Sequence, residues 1–494
     1  MARYKDTEKG QGLFLTVDLE EQIVEDTYEY TLMHLIDNIM DLTIFDTKYN
    51  NDETGAKAIK PKILLKIILY CYSMGIISSR KIAKLCETHM TVKALAEDTE
   101  PHYTTISDFV SGMSGEIEKV FAEVLIVCNE MKLIGGRMFA IDGCKLPSNA
   151  SKEWSGTKEE LTDRYDKLKE TCKKILKKHR MNDRLGSEEL AADRRKLEKL
   201  RKKADRIAVF LMNNEERLGA SGEVVKSNVT DNESGKIKCS DGVIQGYNGM
   251  AVADSKNQII VAANAYGSVA EGQYFPGLLD RTEENMSIVT GKENPLEGTV
   301  MLGDNGYFSE DNFHVAAQKG MEAIIPDEQF RNRDKDLKDG KRRCGKERFD
   351  TRHFIYNKQG NYYTCPNGKK LMFRTKTKLK RTECYKYESK ASDCKDCPYK
   401  GTCIRPGKKE KGYRTLLIKI PKYGIDYCRQ MREKIDKPKY KKIYSQRLGI
   451  IEPVFANITY CKGIDRFTLR TQQKVMIQWL LYCIVHNIGK CKMA

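Results

Sequence analysis

Two short apolar runs constrain the fold most. Met138-Phe-Ala-Ile-Asp142 and Thr299-Val-Met-Leu-Gly-Asp304 each lead a few apolar residues into a carboxylate. A bounded run of that length reads as a buried strand. After the second run, Ser309 stands where it would cap a helix reaching Gly320, and Met321-Glu-Ala-Ile-Ile-Pro326 reads as a further strand. Between the runs, Gln245 to Ala263 patterns as two strands around the polar turn Asp254-Ser-Lys-Asn257. Strand, acid, helix and strand in that order belong to a mixed α/β sheet.

The flanking sequence is helical. Pro61-Lys-Ile-Leu-Leu-Lys-Ile-Ile-Leu-Tyr-Cys-Tyr starts with Pro at a first helical position and stops at Gly75. Ser78-Ser79-Arg80-Lys81-Ile82-Ala83-Lys84 supplies a cap and a short basic helix, and Thr104-Thr105 stands to cap another. These helices suit a helix-turn-helix-like module in which Arg80, Lys81 and Lys84 contact DNA; a plain helical bundle fits the same pattern. Leu161, Tyr165, Leu168, Cys172, Ile175 and His179 step by four and three. After a break at Arg184-Leu-Gly-Ser187, Leu197, Leu200, Ala204, Ile207 and Leu211 do the same, which predicts a helical hairpin over 158–217. Apolar helices close the chain from Tyr444 to Lys490. Val475–Ile488, only 14 residues with Gln478, Trp479 and His486 among them, reads as a core helix rather than a membrane span.

Charge is concentrated. The 494 residues carry net +17, but residues 331–450 hold 37 Lys and Arg against 13 Asp and Glu, which leaves −7 for the rest. A local excess of that size points to an anionic polymer as partner. The opening Met-Ala-Arg-Tyr-Lys-Asp has no apolar signal core, so a cytoplasmic protein with reduced thiols is expected. Five of the 16 cysteines lie between Cys365 and Cys403. Cys365, Cys394, Cys397 and Cys403 have the ligand types of a structural zinc site, with Cys384 as a spare; unmetallated thiols are the alternative. Among them, Arg374-Thr-Lys376-Thr-Lys378-Leu-Lys380 places a cation at every second position, one face of a strand. Such a row tracks phosphates along nucleic acid, or guards a solvated sheet edge. Trp479 has the apolar neighbours of a core residue, whereas Trp154 is open to a stacking role.

Asp142 and Asp304 are the candidate chemical groups. Carboxylates on neighbouring strands can converge on Mg²⁺, which takes oxygen ligands and keeps several waters. Two such ions suit phosphodiester chemistry. The alternative is that each acid caps a turn, as Asp304-Asn-Gly would.

Ordered matches along most of the chain resemble a bacterial insertion-sequence transposase of the DDE type. They are Tyr49-Asn50-Asn51-Asp52, Pro61, Gly75-Ile-Ile-Ser-Ser-Arg80, Ile141-Asp142-Gly143, Asn228-Val-Thr-Asp231, Gln245-Gly-Tyr-Asn248, Gly303-Asp304-Asn-Gly-Tyr307-Phe-Ser, Glu452-Pro-Val-Phe-Ala-Asn-Ile458, Asp465-Arg466-Phe467 and Leu469-Arg470. The resemblance implies an RNase H-like catalytic domain. Its metal-binding triad would be Asp142, Asp304 and Glu452, holding two Mg²⁺ (or Mn²⁺) ions. Tyr444 and Arg447 stand at the family's interval and imply DNA contacts; four residues, rather than three, then precede Glu452. Thr459 replaces the family's Lys, with Lys462 nearest, and Glu433 is a competing third acid. Pro453 sets Glu452 at a helix start or kink.

The expected organisation is a helical DNA-binding domain (1–135), a catalytic core interrupted by the hairpin (136–330), a basic cysteine-bearing insertion (331–437), and C-terminal core helices (438–494). The implied activity is cleavage at the element's ends and strand transfer into double-stranded target DNA by a homodimer, away from membranes. A DNA-binding regulator that no longer cuts, and a stand-alone nuclease, are the alternatives.

Overall fold

The computed structural model describes residues 18–49, 57–181, 187–219, 222–239, 242–268, 270–333, 349–379, 382–404 and 412–491. Packing divides the chain into two compact units, Met1–Leu302 with Gln446–Ala494, and Gly303–Ser445.

In the first unit, α1 (Tyr28–His34), α2 (Pro61–Ser73), α3 (Ser79–Thr88), α4 (Met90–Leu95), α5 (Tyr103–Gly112) and α6 (Ser114–Glu130) precede the sheet. Pro61 does open α2, and Gly75 follows it at φ +73, where a Cβ would come within 2.4 Å of the Lys462 carbonyl. Only glycine fits that left-handed, crowded position. Ser78 occupies the N-cap of α3 without a side-chain cap bond. The cap of α5 differs from expectation. His102 accepts from the Thr104 amide, and Thr104 and Thr105 lie inside the helix, because the preceding ring reaches the exposed amide first.

The first-unit strands of the sheet are β1 (Met138–Pro147), β2 (Gly235–Cys239), β3 (Gly242–Asp254), β4 (Ile260–Tyr266) and β5 (Val300–Leu302). β1 runs antiparallel to β3 from Phe139↔Asp254 to Pro147↔Gly246. On its other edge it runs parallel to β5, from Met138↔Val300 to Ala140↔Leu302. β2 and β4 share the far edge of β3. The result is a mixed α/β sheet consistent with the expected RNase H-like fold. β1 does not end at Asp142; it continues to Pro147 because β3 keeps offering backbone partners.

The hairpin forms as read, from α7 (Lys158–Met181) and α8 (Ser187–Asn213). α9 (Phe275–Thr290) follows β4, and α10 (Pro438–Ala456) and α11 (Gln472–Cys491) close the chain. α11 is buried from Val475 to Ile488 and packs against α2, α5, α6 and β4, helices on the near side of residue 135 as well as the sheet. Trp479 is fully buried and donates its indole N–H to the Met250 carbonyl at 2.9 Å. Gly249 makes the space, since a Cβ there would lie 2.8 Å from the ring. Asn487 donates to and accepts from Ile260 at 2.9 Å, so its amide substitutes for a missing strand partner.

Glu452 was expected at a helix start or kink, yet α10 runs through Pro453 to Ala456. Proline cannot donate to the Gly449 carbonyl four residues back. Gln258 does so instead, through Nε2 at 2.9 Å, and this satisfies the orphaned acceptor.

The second unit holds a five-stranded antiparallel sheet. In spatial order its strands are Thr415–Lys419, Thr382–Glu388, Lys370–Leu379, Tyr362–Thr364 and Ile355–Asn357. Its core is small: Phe354, Tyr363, Leu371, Tyr387 and Leu416.

Candidate active site

The site begins with strand register. Ala140 and Leu302 are the last parallel partners of β1 and β5, and Asp142 and Asp304 each stand two residues further on. Glu271, in the Glu271–Tyr274 turn that leads into α9, supplies a third acid. Within the first unit, an Asp142 oxygen and a Glu271 oxygen lie within 4.8 Å of each other, the spacing of ligands to one metal ion. Sequence reasoning missed Glu271, although an acid between a strand and the Pro276 that opens a helix was a legible signal.

Local packing explains the motif residues around these acids. Asn248 is fully buried and donates Nδ2 to Glu271 Oε1 at 3.0 Å. Its amide lies over Gly143, where a Cβ would approach within 2.5 Å. Glycine after Asp142 therefore admits the asparagine that orients Glu271. Asp142 accepts from the Gly143 amide through Oδ1 at 2.9 Å. Its Oδ2 accepts from Arg447 Nη2 at 2.5 Å, and Arg447 is only 7% exposed. Asp304 also does the blander work expected of it, accepting from the Gly306 amide at 2.8 Å. Burial, then the negative charge of Asp142, pushes the nearby Cys144 thiol up to about 12, so it stays protonated.

Glu452 lies outside this group, on the exposed side of α10. Five residues of α-helix turn through about 500°, so Glu452 leaves the helix about 140° round from the Arg447 that reaches Asp142. Glu433 pairs with Arg429 at 2.9 Å on an exposed helix face.

The DNA-contact candidates are dispersed. Arg80, Lys81 and Lys84 are exposed on α3, with Arg80 over the Tyr103 ring and Lys84 paired to Glu87 at 2.5 Å. Tyr444 stacks edge-on against Phe330. Lys462 sits over the Tyr28 ring, and burial lowers its ammonium pKa. The basic row departs from one-faced alternation. A bulge between Phe373 and Thr375 takes Arg374 out of step with Lys376 and Lys378, because the inserted residue shifts the pleat. All three are exposed, and Lys380 lies outside the described residues. Trp479 is core, as read, and Trp154 is covered by the Arg206 guanidinium at 4.8 Å.

The four zinc candidates lie in the second unit. Cys365 accepts from the Lys369 amide at 3.3 Å, in a tight turn completed by Gly368 at φ +72. Cys365 and Cys403 pack against the same small core. Burial raises the Cys403 thiol pKa, and Cys394, Cys365 and Cys397 raise it further. Cys394 lies 3.2 Å from Ser389 Oγ, while Cys384 is buried in a strand. Among the described residues, no three of these sulfurs form a group within 4.8 Å.

Two family models match the chain: "Transposase domain (DUF772)" over residues 17–112 and "Transposase DDE domain" over residues 364–492. No curated protein matches it significantly. The matches support the insertion-sequence DDE transposase resemblance at both ends of the chain. With the acidic group, they support a metal-dependent transposase whose partner is DNA. Among the described residues, no helix is long and apolar enough to cross a membrane.

Proposed function

We propose that this chain is a DNA transposase that binds the terminal repeats of its insertion sequence, hydrolyses the phosphodiester at the element end, and joins the freed 3′-hydroxyl to target DNA. The pairing of acids inside the first unit carries this reading: Asp142 and Glu271 offer oxygen donors within 4.8 Å of each other, and the resemblance adds Asp304, which follows the strand paired with β1. Such a set fits Mg²⁺ or Mn²⁺ better than a thiophilic metal. Asp142 and Asp304 would hold the ions, with the third carboxylate from Glu271 or, following the family resemblance, Glu452. When bound, the ions supply an activated water or hydroxyl and charge neutralisation at the leaving oxygen. The chain's own part is to fix the carboxylates: the β1 backbone sets Asp142, and Asn248 orients Glu271. Arg80, Lys81 and Lys84 would read the element ends. Arg374, Lys376, Lys378, Lys380, Tyr444, Arg447 and Lys462 would contact the DNA path, in a homodimer that pairs two ends.

The test is cleavage of element-end DNA in Mg²⁺. Asp142→Asn and Asp304→Asn should lose cleavage and keep DNA binding; activity in either variant rejects the site. Glu271→Gln and Glu452→Gln, compared side by side, assign the third acid. Binding without cleavage by the unaltered protein would favour the regulator, and cleavage indifferent to terminal repeats would favour the stand-alone nuclease.

Zinc is a separate proposal. The Cys365 turn, with its amide-to-sulfur bond, and Cys394, Cys397 and Cys403 supply four thiolates in a region whose sheet has a small core. Elemental analysis of reduced protein should find about one zinc per chain, the content of one four-thiolate site. Zinc-free folded protein would leave ordinary thiols.

A further inference from the structure

We infer that Arg447 competes with divalent metal for Asp142, so that the DNA-free site is held at low metal affinity by its own arginine. The inference rests on the reading of Asp142 as a metal-holding carboxylate.

Both Asp142 oxygens are engaged, Oδ1 by the Gly143 amide at 2.9 Å and Oδ2 by Arg447 Nη2 at 2.5 Å. A guanidinium pairs most strongly with a carboxylate through two parallel N–H donors. Arg447 leaves the Nε side of its fork unused: that nitrogen is buried and has no hydrogen-bond partner. An ion pair built only to hold the fold would gain by satisfying that donor, whose burial unpaired is costly. The arrangement instead holds Asp142 through Nη2 while the Nε donor goes unspent, a pairing poised to let go.

Charge supplies the direction. Asp142 and Glu271 bring two negative charges within 4.8 Å of each other, and Arg447 offsets one of them. A cation entering beside Asp142 meets that positive charge at short range and must displace or oppose it. An anion that attracts Arg447 away, such as a DNA phosphate, removes the opposition. Metal and DNA binding are then positively linked through this one side chain, and linkage runs equally in both directions. The device loads the site with metal mainly when DNA is present, which limits stray cleavage.

The test is Mn²⁺ binding without DNA, followed by the electron-paramagnetic signal of the free ion, in the full chain and in Arg447→Gln, Arg447→Lys, Arg447→Met and Asp142→Asn. Arg447→Gln should bind Mn²⁺ roughly tenfold more tightly or better, the effect of removing a unit charge about 5 Å from a divalent ion even at the dielectric of water. Arg447→Lys should stay near the unaltered chain, because it keeps the charge. Arg447→Met keeps an apolar stem in the buried position and serves if Arg447→Gln does not fold. Unchanged or weaker binding in the neutral variants, with binding still dependent on Asp142, would overturn the competition and make Arg447 a simple positioning residue. Absence of any Asp142-dependent binding in every variant would instead reject the metal reading, and this inference with it.

Discussion

The two units solve opposite problems. The first-unit sheet is buried under helices, and β3 is buried at every residue from Gln245 to Asp254. The sheet of the second unit exposes most of its longest strand, Lys370–Leu379, and rests on five fully packed side chains. Asp142 and Glu271, which approach within 4.8 Å, need neighbours that cannot drift, and a close-packed interior provides them. A surface that attracts a polyanion needs charge and reach more than precision. The contrast teaches that the chain keeps its geometry in one unit and much of its positive charge in the other.

The largest test of this contrast is core truncation. Trp479→Ala should destabilise the first unit by about 3–5 kcal/mol, read from denaturant unfolding. Leu371→Ala should fall at the lower end of the 2–5 kcal/mol range for leucine, because a small core collapses more readily around a cavity. Equal losses would deny that the units differ in packing.

Acid sensitivity should follow burial in the same way. Burial, against the carbonyl of Gln258, brings the His486 imidazole down to about 4, so the folded protein holds it neutral. The unfolded chain protonates it near 6.5, and the unfolded state therefore binds the extra proton between those values. Stability should decline as pH falls from about 6.5 to about 4, by up to roughly 3 kcal/mol. Thermal unfolding of His486→Gln across that range should show a shallower acid slope. An unchanged slope would place the acid sensitivity elsewhere.

Gly143→Ala probes precision within the rigid unit. The added methyl must displace the Asn248 amide and, with it, Glu271. A shift of about 1 Å costs on the order of 10²-fold in rate, so cleavage should drop by about that factor while DNA binding holds. Full activity would show that Glu271 does not need Asn248.

The smallest effect is expected on the basic surface. Changing Arg374, Lys376, Lys378 and Lys380 together to Ala should flatten the log–log salt dependence of DNA binding by roughly two to four units, at about 0.9 per phosphate contact. Affinity should weaken for any sequence alike, since phosphate contacts position rather than specify. An unchanged slope with folding intact would leave the strand as a guarded edge.

Much of this was legible in the linear chain. The apolar runs before Asp142 and Asp304 marked two strands that pair in parallel, β1 and β5, and the four-three stepping over 158–217 marked α7 and α8. Those signals are local, because burial on a strand or helix face is written into spacing along the chain. The buried fate of Val475–Ile488 was written the same way.

What the sequence could not decide depended on residues far apart. Glu271 enters the acidic group through an amide 23 positions away, and Arg447 finds Asp142 across 305 positions. Pro453 reads as a helix boundary from its own chemistry, yet the helix continues because Gln258, distant in sequence, satisfies the carbonyl that proline abandons. The bulge at Arg374 breaks an alternation that looked regular, because pairing with the neighbouring strand sets the pleat. The sequence by itself determined which segments had to be buried and which residues could carry charge or metal. Only the tertiary structure decided which of those residues meet, because the partners of a buried polar atom are chosen by packing and not by proximity along the chain.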